Sequence, residues 1–274
     1  MADESLPPAA DSDGADESRM SLLDHLIELR KRLIWSMVAF IICFGFCYWQ
    51  SERIFAFLAD PLADALGEGR RLIYTDLLEA FFTRVKISMW AALFVSFPVI
   101  ATQIWMFVAP GLYKNERNAF LPFLIATPVM FFLGAGILYY LILPQAFHFF
   151  LGFQTTGPVD GLGLAIDFEG KISEYLSLIM SLIFAFGLSF ELPVLLTLLA
   201  RVGIVSAAGL ASKRRYAIVG VFVFAAVVTP PDVISQVSLA IPMWGLYEIS
   251  ILCARLIEKK RREKEEAEDA DAGL

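Results

Sequence analysis

The chain has 274 residues, 58% of them hydrophobic and 14% aromatic with 24 Phe, only 19% charged, and a formal net charge of −7. Soluble domains carry about 25% charged residues, so soluble, nucleic-acid-binding, disordered and disulfide-stapled classes are excluded or demoted, and a polytopic membrane protein leads. The acidity is terminal: residues 1–20 and 258–274 hold 13 of the 29 acids and 6 of the 22 bases, leaving 21–257 neutral with 16 of each.

Residues 1–20 read as a disordered acidic tail without the apolar centre of a cleavable signal peptide. From Ser21 to Leu33 an apolar face (Leu22, Leu23, Leu26, Ile27, Leu33) and a Ser21/Asp24 pair resembling a capping box predict an amphipathic helix on the membrane surface ahead of the first span. Gaps between charges then place six spans at about 33–51, 84–109, 119–143, 175–200, 214–229 and 233–255, judged against the ~20 residues a crossing needs. Pro144 and the Gly-rich 152–163 are expected to end the third. The fourth carries Glu191 inside it. The fifth is short, and Thr229-Pro230-Pro231-Asp232 forces a sharp turn into the sixth, since two prolines permit no helix there. A charged, solvated tail, 258–274, follows the 21–257 core. The predicted fold is all-α, a polytopic membrane protein with six transmembrane helices.

With six spans, 16 of the 22 Lys and Arg fall on one side, which puts both termini in the cytoplasm by the positive-inside rule. The start lacks the Arg/Ser-rich, acid-poor character of an organelle leader, so a bacterial inner membrane is expected. On the other side, 51–83 and 145–174 should form a periplasmic cap. The first contains an amphipathic stretch, Ile54 to Leu62. Thr75 or Asp76 is placed to cap span two, making it over 30 residues long. Phe147, His148, Phe149, Phe150 and Phe153 suggest interfacial anchoring in the second.

Three acids stand apart from the tails. Glu28 either pairs with Arg32 at i,i+4 or serves a ligand. Glu116 is either a first-turn carboxylate facing the positive end of span three, with Asn115 as cap, or likewise functional. Glu191, in Ser189-Phe-Glu-Leu-Pro193, lies roughly two-fifths of the way in from the cytoplasm. An acid there costs about 2.5–3.5 kcal/mol on insertion scales, so it should face a polar cavity, a partner or water. Pro193 frees a carbonyl near 189 and should bend the helix. Cys43, Cys47 and Cys253 sit in apolar runs and read as small hydrophobes. His25 and His148 have no ligand spacing, no phosphate loop is present, and neither an enzyme nor a metal site nor a cofactor is expected.

Five short segments in order, His25-Leu-Ile-Glu-Leu-Arg-Lys-Arg-Leu33, Asp60-Pro-Leu62, Ala109-Pro-Gly-Leu-Tyr-Lys-Asn-Glu-Arg117, Ser189-Phe-Glu-Leu-Pro193 and Thr229-Pro-Pro-Asp232 with Ser235-Gln236, resemble the C subunit of the twin-arginine protein translocase, the TatC family, over about 20–257. The resemblance implies a core subunit that exports folded proteins using the proton-motive force, without nucleotide, together with single-span A and B subunits in a multi-copy complex. It implies that Glu28 and Glu116 recognise the paired arginines of signal peptides, with Arg30 a companion to Glu28 and Phe107 near the same site. Guanidinium suits this chemistry through bidentate carboxylate contact, which Lys cannot reproduce. By the same resemblance Glu191 faces a cavity, Pro61 and Asp232 belong to the outward cap and turn, and Thr229 to Gln236 contacts the single-span subunits. No functional residue carries over onto 154–170 or the tails. The alternatives from other classes are a proton-coupled small-solute transporter using Glu191 as carrier, and a passive scaffold.

Overall fold

The computed structural model describes residues 13–66, 73, 76–112, 117–152, 170–229 and 233–272. Among them the protein is helical, with a lone backbone bridge between Ile73 and Lys171.

Helix α1, Asp13–Trp49, is a single rod of 37 residues. The expected surface helix and first span are therefore one element, and 13–20, expected to be disordered, is helical. The reason is local: from Ser21 to Phe44 there is neither Gly nor Pro, and Arg30-Lys31-Arg32 are good helix formers. A charged triplet changes the helix's surroundings without interrupting its hydrogen bonds. Much of the apolar surface of α1 is open, Leu33, Ile34, Trp35, Met37, Ile41 and Ile42 among it, as a helix bathed in lipid requires. Only a narrow stripe is covered by α3.

Helix α2, Ser51–Leu66, is the predicted amphipathic segment and buries Leu58, Pro61 and Leu62. Pro61 has no N–H, so the Phe57 carbonyl four residues earlier loses its helical donor. The Tyr139 hydroxyl takes that place, donating to Phe57 O at 2.5 Å, while its ring stacks on Phe57 at 4.3 Å. Tyr175 donates to the next carbonyl, Leu58 O, at 2.8 Å. Tyr139 thus fills the gap that Pro61 makes, and Tyr175 adds a second anchor on the neighbouring carbonyl. Tyr139→Phe should cost about 1 kcal/mol in detergent thermal denaturation, because the freed carbonyl then has no donor. Adding Pro61→Ala, which restores a backbone N–H, should recover part of that loss.

Helix α3, Glu79–Leu112, spans 34 residues, matching the expectation of a second span longer than 30. Its start is the predicted cap at Asp76: Leu78 N–H donates to Asp76 Oδ1 and Asp76 N–H to Glu79 Oε2, both at 3.3 Å. This reciprocal pair satisfies donors that a helix start leaves orphaned. Glu79 Oε1 also accepts from Ser173 N–H at 3.3 Å, and Ile73 exchanges backbone bonds with Gly170 and Ile172. The two segments expected to form a cap are joined.

Helix α4, Arg117–Ile137, passes through a π turn, Leu138–Ile142, into α5, Leu143–Leu151. Pro144 does not end the helix, contrary to expectation. In the π turn Leu143 N–H reaches back to Leu138 O, so Pro144 falls in the first turn of a restarted helix, where a missing N–H costs little. Phe147, expected at an interface, is buried instead and packs against Tyr175 at 5.7 Å.

Span four is two helices, α6, Ile172–Ser189, and α7, Leu192–Val202, interrupted at Phe190-Glu191. Pro193 cannot donate to Ser189 O, which is the predicted cause. Glycines let α4 and α6 touch. A Cβ on Gly187 would stand 2.6 Å from the Phe131 ring, and one on Gly134 would stand 2.7 Å from Phe186 O and the Phe190 ring. Gly203, with φ +84°, closes α7 in the left-handed conformation.

Helix α8, Ala207–Ser212, is capped by Ser206 and leads into α9, Arg214–Val228, which is 15 residues long, about 22 Å. Helix α10 runs 40 residues, Val233–Ala272, so most of the charged tail expected to follow the core continues its last helix. Its Ala, Glu, Lys and Arg favour helix and pair at i,i+4, as Lys259 and Glu263 do at 3.7 Å. Among the described residues, five helical stretches are long and apolar enough to cross a membrane, Leu23–Trp49, Glu79–Phe107, Leu121–Leu151, Ile172–Val202 and Gln236–Glu263. The short α9 is the remaining candidate.

Candidate functional site: two acids at the basic end and within the bundle

The first acid lies where α1 meets α3. His25, Glu28 and Arg32 recur at i, i+3 and i+7 on α1, one face of a helix. They meet Gln103, Met106 and Phe107 on α3. The His25 ring stacks on Phe107 with centroids 4.3 Å apart and 23° between planes. Arg32 Nη2 donates to Glu28 Oε1 at 3.1 Å, and Nη1 donates to Gln103 Oε1 at 3.4 Å and toward Met106 Sδ at 3.6 Å. Arg32 Nε is buried with no hydrogen-bond partner. The i,i+4 pairing open in the sequence is therefore present, but a sulfur and a long amide contact absorb the rest of the guanidinium.

Arg30 does not share this face. It is exposed, and two residues along a helix is about 200° round from Glu28, so the companion of Glu28 is Arg32. Phe107 is half-buried beside His25. Glu116 and Asp232 lie outside the described residues.

The second acid is Glu191, at the interruption between α6 and α7. Trp105 Nε1 on α3 donates to Thr127 Oγ1 on α4 at 2.8 Å, and Thr127 is 2% exposed. The Thr127 hydroxyl lies against the Glu191 carboxyl, while Glu191 Oε1 is buried without a hydrogen-bond partner. The break explains the access: with Ser189 turned back onto Ala185 O at 2.6 Å and Pro193 restarting the helix, the residue between them is presented to α4. Ten residues separate Glu191 from Arg201, about 15 Å of helix.

The α9–α10 hairpin spends its polar groups internally. Thr229 is buried with its hydroxyl on Ala225 O at 2.8 Å, and Gln236 Nε2 donates to Phe222 O at 3.3 Å. Thr229 thus turns its hydroxyl back onto the Ala225 carbonyl that its own N–H also reaches, rather than outward. The sequence reading passed over Glu248, which grips Arg214 as a fork, Nε to Oε1 at 2.6 Å and Nη2 to Oε2 at 2.8 Å. Counting along the sequence finds the pair: residue 214 lies 15 before Thr229 and residue 248 lies 15 after Val233, so a tight hairpin brings them level.

The family model for Sec-independent protein translocase protein (TatC) matches residues 24–242. The chain belongs to the TatC family. It is 53% identical over 254 residues to the Sec-independent protein translocase protein TatC of Magnetococcus marinus, covering 93% of this chain and 91% of that one. It is 40% identical over 250 residues to that of Escherichia coli K12, covering 91% and 94%. A crystal structure of the twin-arginine translocase receptor TatC aligns with TM-score 0.73 at 38% identity, covering 85% of this chain and 99% of that chain. A TatC-family chain is a membrane-embedded component of the Tat protein-transport system, a transport protein rather than a catalyst. A small-solute carrier is set aside, and Glu191 is to be understood within a protein translocase.

Proposed function

We propose that this chain is the Tat subunit that binds twin-arginine signal peptides at its cytoplasmic face, through Glu28 and Glu116 with Phe107 beside them and Arg30 exposed on the far side of the same helix. It then mediates passage of folded cargo across the bacterial inner membrane, driven by the proton-motive force. The observation that carries the reading is Glu28: its side chain is 31% exposed, held through one oxygen only, at an end of the bundle crowded with bases. A carboxylate with a free oxygen is a place for a guanidinium fork. With six spans, α9 serving as the short fifth, 16 of the 22 bases fall on one side, which supports both termini being cytoplasmic. Glu191 is the polar point of the intramembrane cavity, supported by its unpartnered buried oxygen and the cost of keeping an acid there. The α9–α10 hairpin, with Gln236 near its turn and the open apolar face of Val219, Val223 and Val227, takes the single-span A and B subunits in a multi-copy complex. Pro61 and Asp232 shape the periplasmic cap and turn.

The test is competition for the purified protein between Arg-Arg and Lys-Lys versions of one signal peptide. The Lys-Lys form should bind at least about tenfold more weakly, the loss of one bidentate contact. Equal binding of the two, or unchanged binding in a Glu28→Gln, Glu116→Gln double variant, contradicts the reading.

A further inference from the structure

At the end of the bundle away from Glu28, helices α1, α2, α3, α4 and α6 leave a groove between them with a volume of about 500 Å³. That is within the range of about 300–1,000 Å³ usual for ligand sites. Its floor is buried protein, Cys47, Leu58 and Met180, while its rim is open, Phe57, Val95 and Tyr140 being 50%, 50% and 72% exposed. The groove therefore faces lipid, and Glu191 does not line it. The cation and the amide in its lining, Arg53 and Gln50, sit together at the junction of α1 and α2. Neither side chain has a hydrogen bond or ion pair among the described residues. The adjacent acid is not available to Arg53, because Glu52 is taken by Arg84 at 2.6 Å.

We propose that this groove binds one anionic phospholipid, with an acyl chain along its apolar floor and the phosphate on Arg53 and Gln50. Length selects the occupant. Along α4 and the π turn the lining runs from Phe132 to Tyr140, about 12 Å of helix. That approaches the depth of one leaflet, half of the ~30 Å hydrocarbon core, and falls well short of what a crossing helix fills. Charge agrees with length. A phosphate offers acceptor oxygens to a guanidinium fork at the headgroup end, and the apolar remainder asks for nothing but hydrocarbon. The charge on Arg53, left without a carboxylate, favours a headgroup of net negative charge over one that brings its own ammonium.

Native mass spectrometry of the full chain in detergent, titrated with dioleoyl phosphatidylglycerol or dioleoyl phosphatidylethanolamine, measures the first binding constant of each lipid. The proteins are the wild type, Arg53→Gln, Gly136→Phe and Val95→Trp. The wild type should bind phosphatidylglycerol at least about tenfold more tightly than phosphatidylethanolamine, and Arg53→Gln should lose about that factor for phosphatidylglycerol alone. Gly136 lines the groove, and a Cβ there meets nothing within 4 Å. Gly136→Phe therefore fills the space without displacing protein and should abolish the tight binding. Val95→Trp fills it from the α3 wall and decides the matter if Gly136→Phe does not fold. Phosphatidylglycerol held as tightly by the filled variants as by the wild type is attraction to the outer surface, and overturns the proposal. Equal binding of the two lipids by the wild type, or a preference that survives in Arg53→Gln, does the same. A wild type that takes neither lipid keeps its groove for another occupant, such as a partner's helix, and that result also overturns it.

Discussion

Glu191→Leu is expected to make the protein more stable and to abolish protein translocation. The carboxyl has one buried oxygen with no hydrogen-bond partner, and the Thr127 hydroxyl that lies against it, itself accepting from Trp105, can serve only the other. Removing a polar group that is incompletely satisfied relieves a desolvation cost of about 1–3 kcal/mol. Leucine is close in volume and belongs among the neighbours Val194 and Leu198, which are buried nearby. Thr127 keeps its bond from Trp105. The measurement is thermal denaturation in detergent alongside transport of a Tat cargo into membrane vesicles. A Leu variant that is less stable would make Glu191 a structural brace, and one that is stable and still transports would remove it from the mechanism. Proteins commonly hold such local costs where function needs them.

The second large effect concerns the contact between α4 and α6, the helix that ends beside Glu191. Phe131 is fully buried, stacked on Phe97 at 3.7 Å, and lies over Gly187 of α6. Phe131→Ala should cost about 3–5 kcal/mol through the cavity it leaves. Gly187→Leu should cost about 1–3 kcal/mol by forcing α4 and α6 apart. Combined, the new leucine occupies the space the ring vacates, so the double variant should be more stable than Phe131→Ala alone. Denaturation of all four proteins measures the coupling. Strict additivity would mean that ring and glycine do not share one space. Close packing matters here because helices in lipid gain no hydrophobic drive from meeting and rely on contact between backbones and small residues.

Much of the architecture was legible in the chain because its causes are local. Asp76 announces a helix start, and it forms that start, with Glu79 as its reciprocal partner. Pro193 announces a bend, and the helix breaks beside it. Pro144 announced a stop that did not come, since a π turn directly before it moved the proline to a position where its missing N–H is harmless. Arg30-Lys31-Arg32 announced a boundary between surface helix and span. Charge marks where a helix leaves lipid, but it does not break backbone hydrogen bonds, and α1 continues.

By itself the sequence determined the all-helical membrane class, the long apolar helical stretches, the shortness of α9 and the asymmetry of Lys and Arg, all of which depend on composition along one line. Tertiary structure decided which groups meet. Glu28 could pair within α1 from sequence alone, yet only the seam with α3 brings Gln103 and Met106 to the other side of Arg32. Arg214 and Glu248 are 34 residues apart and become a fork only when the hairpin closes. The physical reason is that helix propensity and hydropathy act over a few residues. The partners of a charge depend on the rotation and register of two packed helices, which the whole bundle sets.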